Sequence, residues 1–269
     1  MRYSITLEII KTDDPQVVHI IQDYQYFVAM WIENLLSLKK ESIANTIQKF
    51  CLSKPMIKNK LYTFTNIDFG KTIVNYNIIQ LTQQTGEFVF STLQNDMIEK
   101  IFLEQFENQI LSLPGKNATV EFKVTSIQKL SQPDFSNDMN FTTVAPMTLN
   151  YKDHTTNIYN EYMYPKGERF NDLFFLNLQE KTTMLMNLDN DFKEIDKNKL
   201  KKFSLLSATK SKSVILKSNN VKPLNVKGYD FSFNIKGPIE FLKAGYYLGF
   251  GENNSLGFGM CDIATDNIL

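Results

Sequence analysis

A glycine-rich stretch near the end of the chain has residue types that could hold a phosphate. It reads Gly249-Phe250-Gly251-Glu252-Asn253-Asn254-Ser255-Leu256-Gly257-Phe258-Gly259 and contains four of the eleven glycines in the chain. Glycine adopts positive φ and lets a ligand approach the backbone, and exposed amide groups can bind anions. The same pattern also fits a tight connection before a last strand. A dinucleotide-binding fingerprint fits poorly, because a strand-like segment follows instead of a helix.

Lysines that could contact phosphates are concentrated in two segments. Segment 197–229 contains nine lysines and no acidic residue, and segment 39–60 contains six lysines and one glutamate. The net charge of the whole chain is zero, with 29 basic and 29 acidic residues. Segregation of this kind can give a neutral protein a basic face for nucleic acid. The alternative is a solvated surface in which lysine is the default cation, since only Arg2 and Arg169 are arginine.

Few side chains are suited to proton transfer near neutral pH. The histidines are His19 and His154. A histidine of ordinary pKa, about 6.5, suits acid–base work, and His19 is the stronger candidate because His154 lies in a polar loop. His19 could equally be a surface or capping residue. Tyr24 and Tyr26 could donate protons or stack on bases, and they could also be core aromatics.

The helical and strand patterns of residues 1–132 follow the order strand, helix, strand, strand, helix, strand. This is the βαββαβ order of a ferredoxin-like unit. The predicted elements are a strand at 2–10, a helix from Val18 to Leu36 with a second at 41–50, strands at 61–65, 73–81 and 87–91, a helix at 94–110 and a strand at 119–130.

Residues 140–269 repeat this order, and the polar stretch 131–140 is the best boundary between two domains. The predicted elements are strands at 141–151, 214–217 and 229–235, helices at 169–186 and 238–247, and a last strand at 258–263. We therefore predict an α+β fold of two tandem ferredoxin-like domains, 1–132 and 140–269. The glycine-rich stretch occupies the last helix-to-strand connection.

The composition excludes some classes of protein and predicts a compartment. No run of about 18 apolar residues occurs, so neither a membrane span nor a membrane partner is predicted. Cys51 and Cys261 form neither a metal-binding pattern nor a disulfide framework. We expect both cysteines to be core residues in a cytoplasmic, reducing environment.

The glycine-rich stretch resembles the signature of the CRISPR repeat-processing endoribonucleases, within the repeat-associated RNA-binding superfamily. Two further segments also resemble that family. They are Asp23-Tyr24-Gln25-Tyr26 and Phe141-Thr142-Thr143-Val144-Ala145-Pro146-Met147. The marks are spread over nearly the whole chain, and the fold of the family is a tandem of ferredoxin-like units.

The resemblance implies cleavage of precursor CRISPR RNA within each repeat, without a metal or other cofactor. The ribose 2′-hydroxyl would attack the adjacent phosphate and leave 2′,3′-cyclic phosphate and 5′-hydroxyl ends. Such a reaction needs a base, an acid and positive charge at the phosphorane. The implied partner is CRISPR repeat RNA, and binding of DNA is not predicted. Whether the protein forms a homodimer or joins a CRISPR interference complex stays open.

The chain departs from the family at the usual catalytic histidine, which falls on or near Gln48. We expect the catalytic candidates to be Lys60, Tyr26 and His19, of which Lys60 matches a family position. The expected RNA-binding residues are Gly249, Gly251, Asn254, Ser255, Gly257, Gly259, Lys49, Lys54, Lys58, Lys210, Lys212, Lys217 and Lys222. The absent histidine leaves open a catalytically silent relative that binds and retains the RNA, and a subunit forming an RNA backbone is a further alternative.

Overall fold

The architecture comes from a computed structural model, which describes residues 1–37, 61–93, 96–151, 161–186, 201–216 and 224–264. In chain order the elements are β1 (Arg2–Lys11), β2 (His19–Ile21), α1 (Gln25–Ser37), β3 (Tyr62–Phe64), β4 (Thr72–Asn75), β5 (Ile78–Leu81), β6 (Thr85–Thr92), α2 (Asp96–Phe106), β7 (Ile110–Pro114), β8 (Thr119–Lys129), β9 (Asp138–Thr143), β10 (Asn150–Tyr151), β11 (Glu161–Tyr162), α3 (Phe170–Met186), β12 (Lys202–Leu205), β13 (Lys210–Leu216), β14 (Leu224–Asp230), β15 (Ser232–Lys236), α4 (Ile239–Leu248) and β16 (Cys261–Ile263).

Two antiparallel sheets carry the fold, one in each half of the chain. The first has the strand order β3-β6-β1-β8-β7, and the second has the order β12-β15-β9-β16. In each sheet the first and third strands of a βαββαβ unit lie at the centre, with the second and fourth beside them. The fold is therefore a tandem of two ferredoxin-like units, as predicted, and β7 is an additional edge strand of the first.

Alternation of apolar residues explains why the strands bury one face. Tyr3, Ile5 and Leu7 of β1 are buried, and such spacing puts them on one face of the sheet. In the second unit, Phe141 and Phe233 pair across β9 and β15 with ring centres 5.7 Å apart. The apolar cores of both units belong to one continuous cluster, so the two sheets are packed together through the helices and loops between them.

Several predicted elements of the first half differ from the observed ones. The helix predicted from Val18 begins only at Gln25, because β-branched Ile20 and Ile21 form strand β2 and pair with β5. The strand predicted at 73–81 is the β4–β5 hairpin, which turns at Tyr76 with φ of 53°. The helix predicted to Ile110 ends at Phe106, and Ile110 begins strand β7.

The second half also needs corrections. The strand predicted at 141–151 ends at Thr143, and a separate short strand, β10, begins at Asn150. Residues 214–216 of the strand predicted at 214–217 belong to the two-stranded β13–β14 hairpin, and β12 takes the place expected for them in the main sheet. The last strand begins at Cys261. The helix predicted at 41–50 lies outside the described residues.

Candidate nucleic-acid interface

The glycine-rich loop, residues 249–259, connects α4 to the last strand through a short 3-10 helix, Asn254–Leu256. All four of its glycines have positive φ. At Gly259 an added Cβ would lie 1.9 Å from the carbonyl oxygen of Phe250, and at Gly251 it would lie 2.4 Å from that of Thr148. Glycine is therefore required here because the protein backbone itself approaches too closely for a side chain.

A buried lysine fastens the loop from the inside. Lys181 of α3 has an exposed fraction of 0%, and its Nζ donates to the carbonyl oxygens of Gly249 and Gly251 and to Oδ1 of Asn254. The last two distances are 2.6 and 2.8 Å. An ammonium has three protons, and the three oxygens account for all of them. Burial lowers the pKa of Lys181 to about 7, while nearby Glu252 opposes the shift.

The side chain of Asn254 closes the loop on itself. Its Nδ2 donates to the carbonyl oxygens of Phe250 and Phe258, at 3.2 and 3.0 Å, while its Oδ1 accepts from Lys181. Buried amides of this kind must be satisfied, because an unpaired polar group in the interior costs about 1–3 kcal/mol. The predicted RNA contact Asn254 therefore has its side chain committed to the interior.

The first unit holds the same loop from the other side. Nε2 of Gln25, the first residue of α1, donates to the carbonyl oxygens of Leu256 and Gly257 at 2.6 and 3.0 Å. Oγ1 of Thr63 in β3 donates to the carbonyl oxygen of Phe258 at 3.0 Å. These hydrogen bonds join residues far apart in the sequence, so the loop is part of the junction between the two units.

The three segments that resemble the repeat-processing family meet at this junction. Gln25 lies in the first and bonds to the loop. Pro146 lies in the second and accepts a hydrogen bond from the amide of Gly259 at 2.9 Å. The backbone amides of Val144 and Ala145 donate to the carbonyl oxygen of Met260, just beyond the loop. Segments separated by more than a hundred residues thus form one structural feature.

Arg2 provides a second link between the units. Its guanidinium is 3% exposed, forms an ion pair with Asp262 and donates to the carbonyl oxygens of Tyr246 and Cys261 at 2.6 Å each. It also lies 3.4 Å from the centre of the Tyr246 ring. Arg2 is in β1 and the other residues are in or beside α4 and β16, so this arginine fixes the loop's flanking elements against the first sheet.

The predicted phosphate contacts of the loop lie at different depths. Gly249, Gly251, Asn254, Gly257 and Gly259 are buried, and Ser255 is half-buried. The amides of Phe250, Glu252, Gly257 and Gly259 donate to carbonyl oxygens of the protein. RNA contact by these six residues stays a prediction. Ser255 is the most accessible of them and is therefore the strongest candidate.

The β13–β14 hairpin packs directly beside the loop. Leu216 and Val226 of the hairpin form a small apolar cluster with Phe258, and Tyr26 of α1 packs against it. At the other end of the hairpin Lys210 and Lys212 are exposed. The hairpin thus contacts the glycine-rich loop near one end and exposes two predicted RNA-binding lysines near its other end. The predicted contacts Lys217, Lys222, Lys49, Lys54 and Lys58 lie outside the described residues.

The catalytic candidates that the structure describes lie in different elements. His19 lies in β2, opposite Gln80, and its neighbour Ile20 bridges to Gly115 beside edge strand β7. Tyr26 lies near the junction of loop and hairpin, next to α1 residue Gln25. Strands β3 and β7 lie at opposite edges of the first sheet. Lys60 itself, like His154 and Gln48, lies outside the described residues.

Sequence reasoning missed Lys181 and Arg2 as residues of this junction. The helical spacing of α3 gave a usable signal for Lys181, because it continues the buried stripe of Phe174, Leu178 and Leu185. A lysine on such a stripe must find buried oxygens. Arg2 is the first residue of strand β1, and a charged residue at that position gives no comparable signal, so its role is evident only from the fold.

Comparison with known proteins identifies the family. Residues 130–263 match the sequence model of a protein family described as CRISPR associated protein Cas6, C-terminal. The chain therefore belongs to the Cas6 family, whose members act in CRISPR RNA processing and bind RNA. The resemblance predicted from the sequence is confirmed.

Relatives of known sequence and structure resemble the whole chain. The CRISPR-associated endoribonuclease Cas6 1 of Methanocaldococcus jannaschii is 24% identical over 264 residues, which covers 97% of this chain and 93% of that protein. The structure of a Cas6-related protein from Pyrococcus furiosus has a TM-score of 0.72 at 21% identity and covers 99% of each chain. A structure described as a RAMP protein binding different RNA substrates also reaches 0.72 at 21% identity, covering 98% of this chain and 100% of its own. These structures share the fold.

Within the described ranges, no helix is both long enough and apolar enough to cross a bilayer.

Proposed function

We propose that this chain binds CRISPR repeat RNA and cuts precursor CRISPR RNA within the repeat. The observation that carries the proposal is the convergence of the three family-like segments on one junction, with the lysine-bearing hairpin beside it. The Methanocaldococcus relative is named as an endoribonuclease, and one structural neighbour is described as binding RNA. Membership of the Cas6 family supports the same substrate class.

The proposed reaction is metal-independent and uses the RNA's own hydroxyl. A base removes the proton of the 2′-hydroxyl, whose oxygen attacks the adjacent phosphorus. The bond from phosphorus to the 5′-oxygen breaks, and an acid protonates that oxygen. The products are a 2′,3′-cyclic phosphate and a 5′-hydroxyl. A lysine can serve as the acid or stabilise the phosphorane, so Lys60 is the leading candidate, followed by Tyr26 and His19.

The decisive experiment is incubation of the purified protein with its repeat RNA in EDTA. We expect one specific cut with a cyclic phosphate end, and no cut when the nucleotide at the scissile bond is 2′-deoxy. Loss of cleavage in EDTA alone, with recovery on adding a divalent cation, would contradict the metal-independent mechanism. RNA that the protein neither binds nor cuts would contradict the proposed function as a whole.

Single-turnover rates then rank the catalytic candidates. General acid–base catalysis contributes about 10²- to 10⁴-fold, so we expect Lys60→Ala to slow cleavage by at least about a hundredfold while leaving RNA affinity within a few fold. Tyr26→Phe keeps the ring against the apolar cluster and removes only the hydroxyl. His19→Gln tests the strand β2 position. An unchanged rate removes the corresponding residue from the mechanism.

The second candidate function is retention of the RNA without cleavage. It is favoured by Gln48 at or near the place where the family usually has a histidine, because a glutamine does not transfer a proton at neutral pH. Tight, specific binding with no product over many hours would support this function and contradict cleavage. Such a protein would serve a CRISPR interference complex by holding the processed RNA.

A further inference from the structure

We propose that Tyr164 is a stacking platform for an unpaired base of the bound RNA, next to the outer face of the β13–β14 hairpin. This inference rests on the RNA binding proposed above and adds a contact outside the glycine-rich loop. The outer face is defined as the side of the hairpin that carries Ser211, Ser213, Lys227 and Tyr229, opposite the side that packs on Phe258. Pairing of Ser211 with Tyr229 and of Ser213 with Lys227 puts these four side chains on one face.

The ring of Tyr164 is exposed and yet held in place. Its exposed fraction is 45%. The hydroxyl of Thr209 donates to the phenolic oxygen of Tyr164 at 2.8 Å. The ring meets that of buried Tyr229 edge to face, with centres 5.5 Å apart and an angle of 77° between the planes. Two contacts thus fix an aromatic ring that still faces solvent, and a pre-oriented ring loses little conformational entropy when it binds a ligand.

Positive charge and hydroxyl groups lie on the same face of the hairpin as Tyr229, the residue whose ring Tyr164 contacts. Nζ of Lys227 is 5.4 Å from the centre of the Tyr229 ring, which Tyr164 contacts. Lys227 is exposed, as are Ser211 and Ser213 on the same face. Lysine and hydroxyl side chains are common partners of phosphate and sugar oxygens. The outer face therefore combines an aromatic platform with groups that can follow a nucleic-acid backbone.

This combination fits a single strand better than a duplex. Proteins that bind single-stranded RNA stack its bases on aromatic rings while basic residues follow the backbone. In a paired stem the bases are stacked on one another and their faces are inaccessible. We therefore assign the Tyr164 surface to an unpaired segment of the repeat or its flank.

The test uses repeat RNA labelled with the fluorescent base 2-aminopurine at successive unpaired positions. Stacking on an aromatic ring changes the emission of this base. We expect the full-length protein to change the signal at one or two neighbouring positions, and Tyr164→Phe, which retains the ring, to do the same. Tyr164→Leu keeps apolar cover over Tyr229 but has no ring, so the change should disappear and affinity should fall about 5- to 150-fold.

Salt dependence separates stacking from charge. A stacked base releases no counterion, so Tyr164→Leu should leave the slope of log affinity against log salt unchanged. Lys227→Ala should reduce the slope by about 0.7, the value for one contact to a single strand. Tyr76, which is 94% exposed in the β4–β5 turn, provides the matched control. Tyr76→Asn suits its positive φ and should change neither affinity nor fluorescence.

The outcomes distinguish this inference from the proposed function. If the wild type binds repeat RNA and Tyr164→Leu binds equally well with the same fluorescence change, the platform is wrong although RNA binding stands. A loss of affinity that also appears in Tyr164→Phe and accompanies a lowered Tm would show a folding role and contradict stacking. If the wild type binds no repeat RNA, the proposed function fails first.

Discussion

The glycine-rich loop and the β13–β14 hairpin are in contact, yet they differ in how much of each is accessible to solvent. Most of the loop is buried, and its carbonyl oxygens accept hydrogen bonds from Lys181, Gln25 and Thr63. The hairpin contacts the loop through a small apolar cluster and exposes Lys210 and Lys212. The loop thus carries the recognisable sequence, while the hairpin carries the accessible charge.

This contrast changes the physical meaning of the glycine signature. A glycine-rich stretch is easily interpreted as an open cradle of amides, but here the close neighbours of Gly251 and Gly259 are carbonyl oxygens of the protein. The glycines allow two ferredoxin-like units to be locked together in a fixed relation. For the proposed cleavage a fixed relation would matter, because in-line attack depends on accurate positioning of the RNA. Mutations in the loop and in the hairpin should therefore have different consequences.

The largest expected effect comes from removing the lysine that fastens the loop. Lys181→Met keeps a long apolar side chain but leaves three oxygens buried without a donor, which should lower the free energy of unfolding by about 3–5 kcal/mol. Urea unfolding measures the change. Lys202→Met, at an exposed lysine of β12, is the matched control and should stay within about 0.5 kcal/mol. Equal effects of the two substitutions would refute the special role of Lys181.

A slightly smaller loss is expected when a side chain is forced into the loop. In Gly259→Ala the new Cβ meets the carbonyl oxygen of Phe250 at 1.9 Å, and the residue keeps φ of 73°. Strain and displacement together should cost about 2–3 kcal/mol. Gly167→Ala is the milder comparison, because φ is not positive there and the nearest atom, the carbonyl oxygen of Tyr164, is 3.1 Å away and would have to shift by only a few tenths of an ångström. Thermal unfolding of the two variants gives the comparison, and a normal Tm for Gly259→Ala would contradict the packing described.

The β-strand and helix order was predictable from the sequence, but the arrangement of some local segments was not. Apolar alternation and helical spacing gave the βαββαβ order of both units. The Ile73–Leu81 segment was wrong as a single strand because its turn at Tyr76 contains neither glycine nor proline. The segment near Val214 has strand character in either place, and only the tertiary structure decides that it joins the hairpin while β12 joins the main sheet.

The sequence predicted which segments form the candidate site, but it did not predict which of their residues are buried. The resemblance pointed to the loop, to Gln25 and to Pro146, which the structure brings together. Burial of Asn254 and its bond to Lys181 depend on α3, which is remote in the sequence. Local patterns describe the backbone freedom of glycine, whereas the neighbour that occupies the available space is set by packing between distant elements.

The pH dependence of stability should also differ between buried Lys181, which holds the loop, and an exposed lysine. The pKa of Lys181 is about 7 in the folded protein and about 10.4 in an unfolded chain. The unfolded state therefore binds more protons between these values, so stability rises with pH across that window. Relative to Lys181→Met, the wild type should gain up to about 1.4 kcal/mol per pH unit above pH 7. Urea unfolding at pH 6, 7, 8 and 9 tests the sign, and the exposed-lysine control Lys202→Met should run parallel to the wild type.

The smallest effect on stability is expected in the hairpin, where the change should instead appear in RNA binding. Lys212 is exposed and lies opposite Gly228, so Lys212→Ala should alter the free energy of unfolding by less than about 0.5 kcal/mol. If Lys212 contacts a phosphate, its loss should weaken binding of repeat RNA and reduce the salt slope by about 0.7–0.9. Lys202→Ala serves as a charge-matched control on β12. A salt slope equal to that of the wild type would show that Lys212 contacts no phosphate. The exposed RNA-contacting surface would then have to include other lysines.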